Sequence, residues 1–407
     1  MLIGIDDTDS PQGMCTTYLG AVLARRLIRK QMRIHEARLI RLNPNVTWKT
    51  RGNAAVSLLV DGDADRAFDI ACATVEELAD FSCDNTNPGV VVTDCQPDPA
   101  FYHKAVTEFC EIDEAIRVLE AAGAVYHGYK NKRGLIGATA AVASVLADST
   151  SEILVYRQPE HWGTPREVDR QSLFEAEEVT FPHTWDTVDM ANDVVVCVPH
   201  TPDPVLFGIR GESPSWVMIA REMIQSEKPG IEQIWVTNQG TDAHILTGRI
   251  GELCEGLSYR IDGVIAEAPA TATGGHVSFT ICNGEHTVRC MAYEPTKNFR
   301  QIIRDLVQGD EITAYGSYKK GSINLEKIRI VKLAEPIVSR PPVCPTCNKR
   351  MTSDGTGKGY KCKKCGARAK EPEIQKISRP LKPGWYEVPP TARRHLAKPL
   401  CRGEPEY

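Results

Sequence analysis

Aromatic residues make up only 7% of this 407-residue chain, and nowhere does a long unbroken apolar run occur. A helix crossing a bilayer needs about 18 or more such residues, so no membrane span is expected. The opening Met1-Leu2-Ile3-Gly4-Ile5-Asp6-Asp7 reaches two carboxylates before an apolar core could form, and no secretory leader is read there. There is no GxxxxGK(S/T) sequence, so any nucleotide site is of another kind than a Walker P-loop. No repeat of fixed period is present either.

Cysteine is the residue type in some abundance, at 14, but its placement argues against a secreted disulfide scaffold. Ten are scattered singly: Cys15, Cys72, Cys83, Cys95, Cys110, Cys197, Cys254, Cys282, Cys290 and Cys401. The other four form two CxxC pairs. Scattered singles with paired ligands is the usage of a reducing compartment, and a cytoplasmic location is expected. The formal charge of −5 hides a division. Residues 331–407 carry 17 Lys and Arg against 7 Asp and Glu, while the rest of the chain carries 31 against 46. A basic end on an acidic body suggests a nucleic-acid partner, and a merely solvated basic tail is the competing account.

The length leaves room for two to four domains. Residues 1 to about 146 alternate short apolar strands with amphipathic helices. Strands are read at Leu2–Ile5, Ala54–Val60 and Gly89–Val92. Helices are read at Thr17–Ile34, Ala64–Phe81, Phe101–Cys110, Asp113–Ala122 and Gly134–Leu146. A second α/β unit runs from Ile153 to about Leu253. From Leu257 to Leu333 the pattern becomes five short β runs with one helical stretch before the fourth, which is how an OB-type barrel reads.

Cys344-Pro345-Thr346-Cys347 and Cys362-Lys363-Lys364-Cys365 form the strongest local signal. Two CxxC knuckles supply four thiolates, which satisfy tetrahedral Zn²⁺ and leave no open position, so the metal is structural. Seven cations (Lys349, Arg350, Lys358, Lys361, Lys363, Lys364 and Arg368) decorate this module and suit an RNA backbone.

Gly4-Ile5-Asp6-Asp7-Thr8-Asp9-Ser10 places three carboxylates directly after a buried strand. Such a cluster repels itself unless a cation neutralises it, and Mg²⁺ carrying nucleotide phosphates is the economical choice; a solvated loop is the alternative. Gly13-Met14-Cys15-Thr16-Thr17 leads into a helix, where backbone N–H groups and hydroxyls suit an anion or a plain helix cap. Lys130, Arg133 and Gly134 stand at a second such junction, suited to phosphate or simply to a basic turn.

Together with Arg51-Gly52-Asn53, Thr237-Asn238-Gln239-Gly240-Thr241-Asp242-Ala243-His244 and the CxxC pairs, these stretches resemble one family along nearly the whole chain: the archaeal tRNA(Ile) 2-agmatinylcytidine synthetases. The resemblance implies a multidomain α/β plus β protein. Its parts would be an atypical kinase-like ATP-binding domain over 1–150, a ferredoxin-like domain over 151–256 and an OB fold over 257–335. A zinc ribbon over 336–370 and a basic tail over 371–407 would follow. It further implies ATP-dependent joining of agmatine to carbon 2 of the wobble cytidine of tRNA(Ile) with a CAU anticodon, so that the tRNA reads AUA. AMP and phosphate would be released. Thr16, at the family's phosphorylated threonine, would act with Asp6 and Asp7. Asp6, Asp7, Asp9, Thr16, Lys130, Arg133 and Gly134 would hold ATP and Mg²⁺. Asn238, Gln239, Asp242 and His244 are substrate-side candidates, with a capping Asp and a core His equally open. Two rival readings remain: a non-catalytic OB-fold and zinc-ribbon protein binding RNA or single-stranded DNA, and an ATP-dependent tRNA modifier using another amine.

Overall fold

The computed structural model describes residues 1–335, 337–376 and 378–405. Pro336, the expected start of the ribbon, and Ile377, Glu406 and Tyr407 of the tail lie outside the described residues.

The first part of the chain runs β1 (Leu2–Asp6), α1 (Thr16–Arg29), β2 (Arg33–Arg41), β3 (Ala54–Asp61), α2 (Ala64–Leu78), β4 (Gly89–Thr93), α3 (Pro99–Thr107), α4 (Ile112–Ala121), β5 (Val125–Gly128) and α5 (Gly134–Val142). It continues through β6 (Thr150–Arg157), α6 (Arg170–Thr180), β7 (Thr184–Trp185), a small ladder of β8 (Val188–Asp189) with β9 (Val194–Val195), β10 (Val205–Gly211), α7 (Pro214–Met223) and β11 (Pro229–Thr237). Nine of these strands form one sheet in the order β5-β4-β1-β3-β2-β11-β6-β10-β7. Neighbours are antiparallel except β2 and β11, which run parallel through Val236↔Arg38 and Thr237↔Leu39. The two α/β stretches of the sequence therefore share a single sheet.

Strand periodicity explains how that sheet is covered. Ile3 and Ile5 face the cluster made with α1 and α2, where Leu19, Leu23 and Leu27 are fully buried. Each such leucine contributes roughly 1.5–3 kcal/mol. Leu2 and Val91 face the opposite side, against α5. The helix expected to reach Ile34 ends at Arg29. The Lys30 N–H closes onto the Arg26 and Leu27 carbonyls, Gln31 turns left-handed at φ 64°, and β2 follows. β2 escaped the sequence reading because its charged residues mask a period of two; β6 escaped because it is buried on both faces and carries Glu152 and Arg157.

After β12 (Ile245–Thr247) come β13 (Ser258–Thr271), β14 (Val277–Asn283), β15 (His286–Ala292), α8 (Phe299–Arg304), β16 (Glu311–Lys319) and β17 (Ser322–Lys332). Pairing runs β13-β14-β15-β17-β16, and β16 returns to β13, which closes a five-stranded barrel. Its interior holds Ile261, Phe279, Ile281, Cys290 and Ile328, all nearly inaccessible. The ribbon follows. β18 (Ile337–Arg340) pairs with β22 (Glu373–Lys376), enclosing a three-stranded unit of β19 (Thr352–Ser353), β20 (Tyr360–Lys361) and β21 (Arg368–Ala369). The chain then comes back. β23 (Gly384–Glu387) adds to β17 of the barrel, and residues beyond it run as a strap across the junction of barrel and sheet. Among the described residues no helix is long and apolar enough to cross a membrane.

Candidate functional site

β1 delivers its carboxylates where the chain leaves the sheet. Asp6 pairs with Gly89 in the last register position, and Asp7 adopts a left-handed φ of 59°. A non-glycine residue there costs on the order of 1 kcal/mol or more, the kind of strain that is retained at functional sites. α5 approaches this point through its glycines. A Cβ at Gly137 would lie 1.9 Å from Asp6 Oδ2, and one at Gly134 would lie 2.3 Å from the Gly89 nitrogen. The Gly-Leu-Ile-Gly stretch is thus a packing requirement of the acidic loop. Burial, then the neighbouring Asp7 and Asp9, drive the Asp6 pKa well above its usual range. Burial raises Asp7 to about 6 against the opposing pull of Arg133, whose Nε and Nη2 each reach Asp7 at 2.9 Å. An all-oxygen cluster that burial leaves short of positive charge is the donor set of a hard cation such as Mg²⁺.

Thr16 opens α1. Its backbone N–H and its hydroxyl both donate to Asp9 Oδ1, at 2.5 and 2.9 Å, and Thr8 Oγ1 donates to Thr16 Oγ1 at 3.0 Å. Arg51 holds Asp9 Oδ2 at 2.9 Å and also donates to the Ser10 and Met14 carbonyls. The first N–H of the helix is therefore taken by a carboxylate of the same loop, while the N-cap Cys15 Sγ accepts from the Tyr18 N–H. At the second junction the Gly134 N–H donates to the Asn87 carbonyl and Lys130 Nζ to the Cys83 carbonyl. Arg133 enters the cleft with the aspartates; Lys130 does not line it.

Thr16, Asp9, Arg51, Gly52 and Ala54 stand between two clefts. One, of about 710 Å³, is lined by Asp6, Asp7, Arg133 and Gly137, with Trp48 and Phe109 at its apolar side. The other, of about 900 Å³, lies toward β6 and β10 and is lined by Cys15, Thr17, Arg41, Glu152, Asp203, Arg210 and His395. Glu152 lies 3.8 Å from Arg41 and 3.4 Å from Arg210, and burial brings the Arg41 pKa down to about 10.

The Thr237–His244 stretch sits one layer behind this second cleft. Asn238 Oδ1 accepts from the Arg41 N–H and its Nδ2 donates to the Arg41 carbonyl, at 2.8 and 2.9 Å. Gln239 accepts from Arg41 Nε at 3.1 Å and donates to Glu152 at 2.6 Å. Asp242 takes Lys327 Nζ at 2.8 Å and the Lys398 N–H at 2.7 Å. His244 Nε2 meets Glu326 Oε2 of the barrel at 3.0 Å in full burial. Asn238, Gln239 and Asp242 thus orient Arg41, Glu152 and the strap, while His244 ties the stretch to the barrel. Of the residues that line the second cleft, Asp9, Thr16, Thr17 and Arg51 were read in the sequence, whereas Arg41, Glu152, Arg210 and His395 went unread. The only available hint was a charged residue at inward-facing strand positions.

In the ribbon, the Sγ atoms of Cys344, Cys347, Cys362 and Cys365 all lie within 4.8 Å of one another, with contacts of 3.3 Å. Four thiolates at such spacing fit tetrahedral Zn²⁺. The backbone N–H groups of Cys365 and Lys364 point at the Cys362 sulfur, where they would support a thiolate.

The chain matches three family models: the TiaS TCKD domain over residues 2–131, the TiaS FLD domain over 132–244 and the TiaS C-terminal zinc ribbon domain over 341–381. It is 53% identical over 403 residues to the 2-agmatinylcytidine synthetase TiaS of Methanocorpusculum labreanum, an enzyme of an isoleucine tRNA, covering 99% of this chain and 97% of that one. It is 48% identical to the same enzyme of Methanosarcina mazei, over 99% and 98%. Among solved structures it is similar to a complex of TiaS with its isoleucine tRNA and ATP, with TM-score 0.92, 45% identity and coverage of 100% and 98%. It is also similar to a complex of TiaS with the same tRNA, AMPCPP and agmatine, with TM-score 0.90, 43% identity and the same coverage.

Proposed function

This chain belongs to the TiaS family of 2-agmatinylcytidine synthetases, and we propose that it acts as one, with Thr16 at the centre of its chemistry. It is an ATP-using ligase that joins agmatine to the cytidine of an isoleucine tRNA, forming agmatidine, and its partners are that tRNA, ATP and agmatine. The new base pairs with A instead of G, and the tRNA reads AUA. A structural Zn²⁺ is held by the four cysteines.

The finer assignments are our reading. Residues 1–150 serve as a kinase-like unit, 151–256 as a ferredoxin-like unit, 257–335 as an OB fold, 336–370 as the ribbon and 371–407 as the tail. Asp6, Asp7 and Asp9 would hold Mg²⁺, which supplies neutralisation of phosphate charge when bound. Arg133 offers its guanidinium to the same phosphates, with Gly134 keeping α5 close, and Lys130 contributes positive potential from outside the cleft. Thr16 takes up one phosphoryl group from ATP, the second is released as phosphate, and AMP is the nucleotide product. Asn238, Gln239, Asp242 and His244 act on the substrate side by fixing Arg41 and the strap.

The observation that carries this reading is the place of the Thr16 hydroxyl in the wall shared by two clefts, one rich in carboxylates, the other in guanidinium groups. The oxygen on carbon 2 of cytosine leaves poorly unless it carries a phosphoryl or adenylyl group. Once it does, the neutral amine of agmatine forms the C–N bond and the oxygen departs with the activating group. The cytidine must leave the anticodon stack for this, at a few kcal/mol, so the enzyme needs firm grip elsewhere, which the barrel and ribbon offer. The test is a reconstituted reaction of tRNA(Ile) transcript with a CAU anticodon, ATP, Mg²⁺ and labelled agmatine, comparing wild type with Thr16→Ala. Label in the wobble nucleotide, lost in the variant, is the expected result. Folded, zinc-replete protein that binds tRNA and transfers no label sinks the reading.

A further inference from the structure

The strap puts one side chain into the cleft behind Thr16. The Arg393-Arg394-His395 turn lies beyond β23, and the Gly240 N–H holds the His395 carbonyl at 2.8 Å while the Asp242 N–H holds that of Leu396 at 2.8 Å. Two N–H groups of the Thr237–His244 stretch thus fix the backbone from which the imidazole projects. The ring lines the second cleft with Arg41, Glu152 and Arg210.

Arg210 Nη2 lies 2.7 Å from His395 Nδ1. A guanidinium has five donors and no acceptor. Nδ1 must therefore accept, its lone pair is occupied, and the ring proton sits on Nε2. Among the described residues no group hydrogen-bonds Nε2, whose edge lies beside Gly52: a Cβ there would be 3.3 Å from Nε2 and 2.6 Å from Arg41 Nη1. Arg210 is itself held by Glu152 at 3.4 Å and Asp186 at 3.5 Å, so the acceptor role of Nδ1 is imposed by a fixed cation.

We propose that His395 donates its Nε2–H to an oxygen of the bound substrate in this cleft, either a phosphoryl oxygen of the nucleotide or the oxygen on carbon 2 of the wobble cytosine. The proposal rests on the reading of the cleft as the place of agmatine conjugation. His395 is excluded as the base that deprotonates agmatine, because a second ring proton would face the Arg210 guanidinium. The groups facing the ring argue the same way. They are Arg41 from β2, Lys49 from the β2–β3 loop and Arg210 from β10, with Glu152 from β6 shared by the two arginines. Burial first, then Arg41, Arg210 and Lys49, push the imidazole pKa well below its ordinary value. With the Arg210 guanidinium on Nδ1, the geometry leaves the ring a neutral donor at Nε2.

The test uses the full chain in the labelled-agmatine reaction. Absence of label with wild type would sink the functional reading and leave His395 unjudged, so the variants are compared only once wild type turns over. His395→Phe keeps the ring shape and removes the donor; we expect kcat to fall about 100-fold, the typical effect of deleting one preorganised donor, with KM for agmatine little changed. His395→Gln, which presents an amide N–H, is expected to recover about tenfold of that loss. Equal activity of wild type and His395→Phe, or an equal fall in both variants, overturns the proposal. A second measurement uses ¹⁵N-histidine-labelled wild type, with the His395 signal assigned as the one resonance missing from an otherwise unchanged spectrum of His395→Gln. The Nε2–H tautomer is expected at the pH of the assay. AMPCPP alone shifting the Nε2 resonance assigns the phosphoryl oxygen, and tRNA alone shifting it assigns the base oxygen. A resonance that moves with neither, or a ring protonated on both nitrogens, overturns the proposal.

Discussion

The ribbon and the strap are both rich in Lys and Arg, and the sequence counts their charges alike, yet they use them in opposite ways. In the ribbon, Lys349, Arg350, Lys358, Lys361, Lys363, Lys364 and Arg368 are all exposed around a core reduced to Cys344, Met351 and Cys362. In the strap, Arg393 is paired with Asp186 and Glu387 at 7% side-chain exposure, and Arg402 with Asp148 and Glu212 at 6%. Arg379, just before it, closes on Asp310 at 9% and 0%. The positive excess of the C-terminal region is therefore two populations: one facing outward, where phosphates can reach it, the other neutralising the acidic body from within. A net charge says nothing about which is which; burial of the carboxylate partners does.

The comparison breaks most sharply at the metal. Removing Zn²⁺ with a chelator, or replacing Cys362 with Ser, takes away a term worth on the order of 10 kcal/mol in comparable small sites. We expect the ribbon to unfold and tRNA affinity to drop while the nine-stranded sheet and the barrel keep their circular-dichroism signature. Loss of all tertiary signal would mean that the ribbon is no independent module. Next in size is Arg393→Met, which takes the cation from Glu387 and leaves Asp186 with Arg210 alone. Breaking one side of a buried pair costs about 3–5 kcal/mol, whereas Arg368→Met in the ribbon is expected to stay within about 0.5 kcal/mol. Urea unfolding of both variants checks the contrast, and similar losses would erase it.

A third, smaller effect concerns pH. Glu177 contacts the Thr187 N–H in the same acidic neighbourhood, and burial raises its pKa to about 7. A carboxyl whose folded pKa lies above its unfolded one favours the fold while protonated. That contribution is full below the unfolded value near 4.5 and is lost as pH rises through about 7. Glu177→Gln should flatten this slope and stabilise the protein at pH 8 by roughly 1–3 kcal/mol; an unchanged profile would locate the titration elsewhere. Smallest in stability is Lys363→Ala with Lys364→Ala, for which no change in unfolding is expected. The slope of log affinity for tRNA against log salt should shrink by about 1–2, one step for each phosphate that no longer meets a cation.

Legibility followed the distance along the chain over which a feature is encoded. The role proposed for Thr16 comes from the family resemblance, whereas the CxxC pairs and the Asp6–Asp9 cluster are local, and their grouping can be read from neighbours. The five barrel strands and the helix before the fourth were legible for the same reason. Arg41, Glu152, Arg210 and His395 meet only because β2, β6, β10 and the strap converge, and each looks ordinary in its own segment. The Thr237–His244 stretch was visible as chemically unusual. Its polar side chains, however, bond to Arg41, Glu152, Lys327 and Glu326, partners that sequence spacing could not name. The glycines of α5 read as a phosphate-type turn, and the structure adds a steric reason for them in the Asp6 carboxylate.

The parallel seam between β2 and β11 has a consequence for how the molecule comes into being. The strands that meet there stand nearly two hundred residues apart, and until they meet each half-sheet presents an open edge that invites pairing with other chains. Closing so long a loop is entropically slow, and contacts of high sequence separation delay folding. Because Asn238 grips the Arg41 backbone beside that seam, the event that seals the edge also sets the cleft, so a chain caught before sealing is both aggregation-prone and inactive.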